Sequence, residues 1–94
     1  MAPTAIVLVI AEIGAKKEVL ERLKKIPEVK EVYAFENGVY DLGVKIHAPT
    51  LEKINDIATY NIRRGGYVAS TLTQIVREDK SFVRDENGSI QSYK

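Results

Sequence analysis

The run Thr4-Ala5-Ile6-Val7-Leu8-Val9-Ile10 is rich in β-branched residues and shows no polar alternation. That is the composition of a strand covered on both faces, so a central strand is expected there. From Lys16 to Ile26 the pattern changes: Val19, Leu20, Leu23 and Ile26 recur at helical spacing among Lys, Glu and Arg, which predicts an amphipathic helix. Pro27 stops it, because proline lacks a backbone donor and disfavours helical geometry at the residue before it. Two further strand-like runs, Val29 to Glu36 and Val39 to Ile46, flank Asn37-Gly38, the dipeptide best suited to the positive φ angles of a two-residue hairpin turn. Such a turn sets Glu36 opposite Val39, Asp41 opposite Ala34, Gly43 opposite Val32 and Lys45 opposite Lys30. Tyr33, Phe35, Tyr40, Leu42, Val44 and Ile46 then share the other, core face.

Pro49-Thr50 opens a second helix with Thr50 as N-cap and Leu51, Ile54, Ile57, Ala58 and Ile62 as its buried stripe. Arg63 and Arg64 suit the negative end of its dipole, and Gly65-Gly66 ends it. A last strand, Val68 to Val76, places Thr71, Thr73 and Ile75 on one face and Leu72, Gln74 and Val76 on the other. The order is therefore βαββαβ, an α+β pattern of ferredoxin-like type, in which right-handed crossovers put both helices on one face of a four-stranded antiparallel sheet. Two helices leave the other face uncovered, yet the run from Ile6 to Ile10 reads as buried on both sides. Sheet-to-sheet pairing of two chains, a dimeric α/β barrel, satisfies both conditions.

With 94 residues, the chain fits one compact domain over residues 1–77. Residues 78–94 differ in composition and are open to three readings: a loose hairpin, an assembly arm on a neighbouring subunit, or a solvated tail. Fourteen basic against thirteen acidic residues leave a net charge of +1, which supplies no field toward nucleic acid or an anionic membrane. The absence of cysteine excludes disulfides, thiolate nucleophiles and Cys-based metal sites. No apolar stretch approaches the roughly 20 residues of a membrane span, and no secretory signal pattern is present, so the expected location is the cytoplasm.

Three segments carry a family resemblance: Ile26-Pro27-Glu28-Val29 before the second strand, Gly38-Val39-Tyr40-Asp41-Leu42 at the hairpin, and Gly66-Tyr67-Val68 leading into Ser70-Thr71-Leu72-Thr73-Gln74-Ile75-Val76. From Ala5 to about Arg77 the chain resembles the ligand-binding domain of the Lrp/AsnC feast/famine transcriptional regulators, the domain called regulation of amino-acid metabolism. Full-length members carry an N-terminal helix-turn-helix, whereas here the first strand begins within five residues of Met1. The resemblance is therefore to stand-alone members. It implies a non-catalytic module without direct DNA binding or cofactor, a homodimer assembling to higher oligomers, and modulation of a full-length regulator by mixed assembly. Gly65-Gly66, where one glycine fits the pattern, is a small departure.

The resemblance also implies an amino-acid effector bound between neighbouring dimers by Gly38, Tyr40, Asp41, Thr71 and Thr73. Gly38 permits close backbone approach, Tyr40 offers a ring, and the threonine hydroxyls can donate to a carboxylate. Asp41 can receive an ammonium. A carboxylate in a strand needs a partner, and Lys45 is about 13 Å away along the strand, so an inter-subunit ion pair or a hydrogen-bonded strand end is the alternative for Asp41. Strand propensity alone is the alternative for the threonines, and core packing for Tyr40. His47, the only histidine, lacks the neighbours that acid-base or metal chemistry requires and is read as a solvated strand end. A small enzyme of the monooxygenase or isomerase type is the competing function on the same barrel, since fold does not decide chemistry.

Overall fold

A computed structural model describes residues 2–77, 82–84, 86–88 and 90–92. Strands β1 (Thr4–Ala11), β2 (Val29–Ala34), β3 (Leu42–His47) and β4 (Val68–Ile75) form one antiparallel sheet in the order β2-β3-β1-β4. The expected βαββαβ architecture is thus observed, with β1 central. Helix α1 (Lys16–Leu23) lies between β1 and β2, and α2 begins at Leu51–Asp56. Its N-cap is Thr50 as expected: the hydroxyl accepts a hydrogen bond from the Lys53 amide at 3.1 Å.

The sheet's two faces differ sharply. Ala5, Val7, Val9 and Ala11 of β1 and Leu42, Val44 and Ile46 of β3 are buried, and they pack with Val19, Leu23 and Ile26 from the first helix region and Ile54, Ile57, Ala58 and Ile62 from the second. On the opposite face Ile6, Leu8 and Ile10 are only half-buried, and Leu72, paired with Leu8, is exposed. This is the sheet's open face, which keeps solvent exposure from Tyr33 on β2 to Leu72 on β4.

The second helix departs from regular α geometry. Ile57–Ile62 winds as a π-helix and Arg63–Gly65 as a 3-10 turn. In an α-helix, residues five apart are rotated by about 140° from one another, which would point Ile57 and Ile62 in different directions. The wider i→i+5 winding brings both inward, and both are buried. Leu51, expected in the buried stripe, is exposed. The first helix stops at Leu23 rather than Ile26, although Ile26 remains buried in the turn that follows.

The hairpin register also differs from expectation. Ala34 pairs with Leu42, Tyr33 with Gly43, Val32 with Val44 and Glu31 with Lys45. The Phe35 amide donates to the Asp41 carbonyl at 2.9 Å, so the connection is a five-residue loop from Glu36 to Tyr40 rather than a two-residue turn. This slip of one residue turns Tyr33 and Phe35 away from the helices onto the open face, because side chains alternate along a strand. The cause lies in β3, which is held on its other side by β1: Val7 pairs with Val44 and the Asp41 amide donates to the Val9 carbonyl at 2.8 Å. With Leu42, Val44 and Ile46 committed to the helix side, β2 presents Val32 and Ala34 beside them. Phe35 then lies over Gly43, where an added Cβ would fall 2.8 Å from its ring.

Farther along the chain, Phe82–Arg84 (β5) and Ile90–Ser92 (β6) pair antiparallel as a separate two-stranded sheet. Residues 78–81, 85, 89, 93 and 94 lie outside the described residues, and the sequence readings for 78–94 fall partly on them.

Candidate functional site

The residues expected to bind an effector sit at and beside one end of the sheet. Asp41, at the entry to β3, is half-buried and is bonded on every side. Its amide and carbonyl bridge β1 and the end of β2, and its carboxylate Oδ2 accepts a hydrogen bond from the Ala11 amide at 2.8 Å. Ala11 lies at an irregularity of the β1–β4 pairing, where Ile10 faces Ser70 but Ala11 faces Val68. Such a bulge disrupts the ladder locally. The carboxylate that β propensity disfavours thus anchors a strand end, the partner that Lys45 is too remote to provide. Lys45 instead lies 3.7 Å from Glu31.

Gly38 and Tyr40 belong to the loop above Asp41. Gly38 is exposed at φ +104°, a conformation open mainly to glycine. Tyr40 is half-buried and lies outside the strand in which it was expected. The base of this loop is tied to the first helix by Lys16 Nζ, which donates to the Phe35 carbonyl.

Thr71 and Thr73 are half-buried on β4, in register with Val9 and Val7. Because Val9 also faces Leu42 on β3, β1 runs between the threonines and Asp41. Two strand spacings amount to about 10 Å. Within one subunit, therefore, the loop group (Gly38, Tyr40, Asp41) and the edge-strand group (Thr71, Thr73) do not converge on one pocket. A groove of about 270 Å³ between α1 and β2, lined by Leu20, Lys24, Val29, Lys30, Glu31 and Val32, contains none of them.

His47 is exposed at the end of β3, with its Nδ1 2.9 Å from the Oγ1 of buried Thr4. It fastens a strand end rather than standing free in solvent. Among the described residues, no three His, Asp or Glu side chains gather as a metal site would need, and no helix is long and apolar enough to cross a membrane.

Two features of this end were not anticipated. Arg22, on α1, reaches the end of the second helix: Nη2 donates to the Ile62 carbonyl at 2.7 Å and Nη1 to the Gly66 carbonyl. Beyond Gly66, Tyr67 adopts φ +63°, the only positive φ among described non-glycine residues. Its carbonyl accepts from the Glu12 amide at 2.8 Å. Gly65-Gly66 was the sequence signal for both, as an extra glycine where one would end a helix.

Comparison with known proteins agrees with this architecture. Residues 4–82 match the model of the Lrp/AsnC ligand binding domain. The chain belongs to this family. Among solved structures, it is 37% identical to FFRP-DM1, with a TM-score of 0.76 over 80% of this chain and 99% of that one. It is also 37% identical to the hypothetical protein PHS023 of Pyrococcus horikoshii, with a TM-score of 0.73 over 80% of this chain and 89% of that one. A transcriptional regulator of Neisseria meningitidis, crystallised as its L-Met complex, shares the fold at 15% identity and a TM-score of 0.74, covering 82% of this Lrp/AsnC chain and 51% of that one. No curated protein sequence matches the chain.

Proposed function

We propose that this Lrp/AsnC domain is a non-catalytic effector-binding module that pairs through its open sheet face and holds an amino acid between assembled copies. The match of residues 4–82 to a ligand binding domain carries the reading, and the L-Met complex of a protein with the same fold supports an amino acid as the ligand class. Asp41 receives the ligand ammonium, the Thr71 and Thr73 hydroxyls bind its carboxylate, and Gly38 and Tyr40 close over it. The separation of these two groups by β1 within a subunit favours a site assembled from more than one copy. The open face of Ile6, Leu8, Ile10, Leu72 and Tyr33 supplies the apolar surface for pairing. Through mixed assembly, such a module modulates a full-length regulator.

Native mass spectrometry of the chain with each of the twenty amino acids tests this reading. The expected result is a dimer or a multiple of dimers that takes up at least one amino acid, with Asp41→Asn binding it about 10 to 100-fold more weakly, as loss of a charge-assisted bond implies. A stable monomer, or an assembly that binds none of the twenty, would overturn it.

A further inference from the structure

Tyr67 is held where its backbone is unfavourable, and its ring stands largely in solvent. An L-residue at φ +63° brings Cβ against the backbone, and strain of this kind persists where surrounding bonds over-determine it. Here they do: the Tyr67 carbonyl is fixed by the Glu12 amide and the preceding Gly66 carbonyl by Arg22. Glycine would occupy the position without strain, and two glycines already precede it. The residue is 57% exposed and, among the described residues, its side chain takes part in no hydrogen bond or ring contact. A strained, solvent-facing aromatic without a hydrogen-bond or ring partner among the described residues points to a role outside the subunit.

Its position gives that role a chemistry. The Ala11 amide is bound by Asp41 Oδ2, and the very next amide, Glu12, is bound by the Tyr67 carbonyl. Asp41 and Tyr67 therefore bracket the end of β1 from its two sides, on β3's side and β4's side respectively. Ile13, just beyond, is fully exposed. β1 holds these two flanks two strand spacings apart, about 10 Å, so a carboxylate and a phenol ring reach one ligand, bearing an ammonium and an apolar side chain, where copies assemble.

We infer that Tyr67 is a specificity-determining wall of the effector site, its ring packing on the side chain of a bound amino acid whose ammonium is held at Asp41. This rests on the amino-acid-binding reading above and adds the preference for side chains larger than a methyl group.

Titration calorimetry on the full chain, with each of the twenty amino acids as probe, tests it through Tyr67→Gly and Tyr67→Phe. For every probe larger than alanine that the wild type binds, Tyr67→Gly is expected to lose about tenfold in affinity through loss of the ring contact, while Tyr67→Phe stays within about twofold of wild type. Glycine and alanine, where bound, should be affected less than twofold, and the melting midpoint of Tyr67→Gly should be unchanged or raised. Equal loss for small and large probes, no loss for large ones, a wild type that binds only glycine or alanine, or a midpoint lowered by more than about 4 °C would overturn the assignment. So would lowered assembly mass with unchanged affinity. A wild type that binds no probe defeats the amino-acid reading itself, and Tyr67 falls with it; selective failure at Tyr67 leaves that reading standing.

Discussion

Gly65 and Arg22 form a mutual constraint whose strength can be measured. A Cβ at Gly65 would lie 2.6 Å from Arg22 Cζ, 2.7 Å from Nε and 2.9 Å from Nη2, so Gly65→Ala forces the guanidinium out of its place. The backbone itself does not object, since Gly65, unlike Gly66 at φ +100°, is not left-handed. Alanine there gains about 0.4 to 1 kcal/mol by narrowing the unfolded ensemble. Against this stands loss of the bonds from Arg22 to the Ile62 and Gly66 carbonyls. Hydrogen bonds to charged groups contribute about 1.5 to 3 kcal/mol each, and water recovers part of that at an exposed carbonyl, so about 2 kcal/mol for the pair is a working figure. Gly65→Ala should therefore destabilise by about 1 to 1.5 kcal/mol net, lowering the midpoint by about 4 to 12 °C at the usual scaling for a domain of this size. Arg22→Ala should cost about 2 kcal/mol, and adding Gly65→Ala to it should cost nothing further or stabilise slightly. The double-mutant cycle, read by urea unfolding at fixed protein concentration, isolates the coupling. If Gly65→Ala costs the same with and without Arg22, the clash is not the reason for the glycine and the reasoning is refuted.

Other consequences follow from the same structure. Asp41→Ala leaves the Ala11 amide without its acceptor and should lower stability by about 1 to 3 kcal/mol, whereas Asp41→Asn keeps an acceptor oxygen and should melt close to wild type; equal losses by calorimetry would show that charge, not the acceptor, anchors the strand. Gly43→Ala drives a Cβ to 2.8 Å from the Phe35 ring, which should cost about 1 to 3 kcal/mol as overpacking does and lower the assembly mass by light scattering, because the displaced ring lies on the open face. Lys24 Nζ, bonded to Glu21 at 2.9 Å, holds the Glu21 carboxyl below its ordinary value of 4.5. A depressed carboxylate pKa favours folding above the unfolded value, and that contribution is lost as pH falls through the folded one. The pair is exposed, so the readout is an NMR titration rather than a melt, with Lys24→Ala expected to return Glu21 toward its ordinary value.

The elements themselves were legible because each has a local signature. The β-branched run of β1, the spacing of Val19 and Leu23, the Thr50 cap and the Gly65-Gly66 stop depend on near neighbours in sequence, and all are found where those neighbours placed them. The hairpin register was not legible. Asn37-Gly38 is a sound local signal for a two-residue turn, but the pairing of β3 is decided by β1, whose Val7 and Val9 fix Val44 and Leu42 on the helix side. A long-range partner overrode a local preference, and one residue of slip sent Tyr33 and Phe35 to the opposite face.

The same division explains the candidate site. The anomaly at Asp41 was visible as a carboxylate in an apolar strand, because burial without a partner is unfavourable whatever the fold. Its partner was not visible, since the Ala11 amide is directed to it at the irregularity where β1 changes register against β4, and bulges of that kind have no fixed sequence mark. Tyr67 carries the point furthest. Sequence shows a tyrosine after two glycines and assigns it to a strand entry; only the backbone angle and the Glu12 bond reveal that it is constrained into a conformation glycine would take freely. A residue that every local rule would replace is the kind whose side chain must answer to something beyond the subunit, and for that reason Tyr67 is placed with Asp41 in the proposed site.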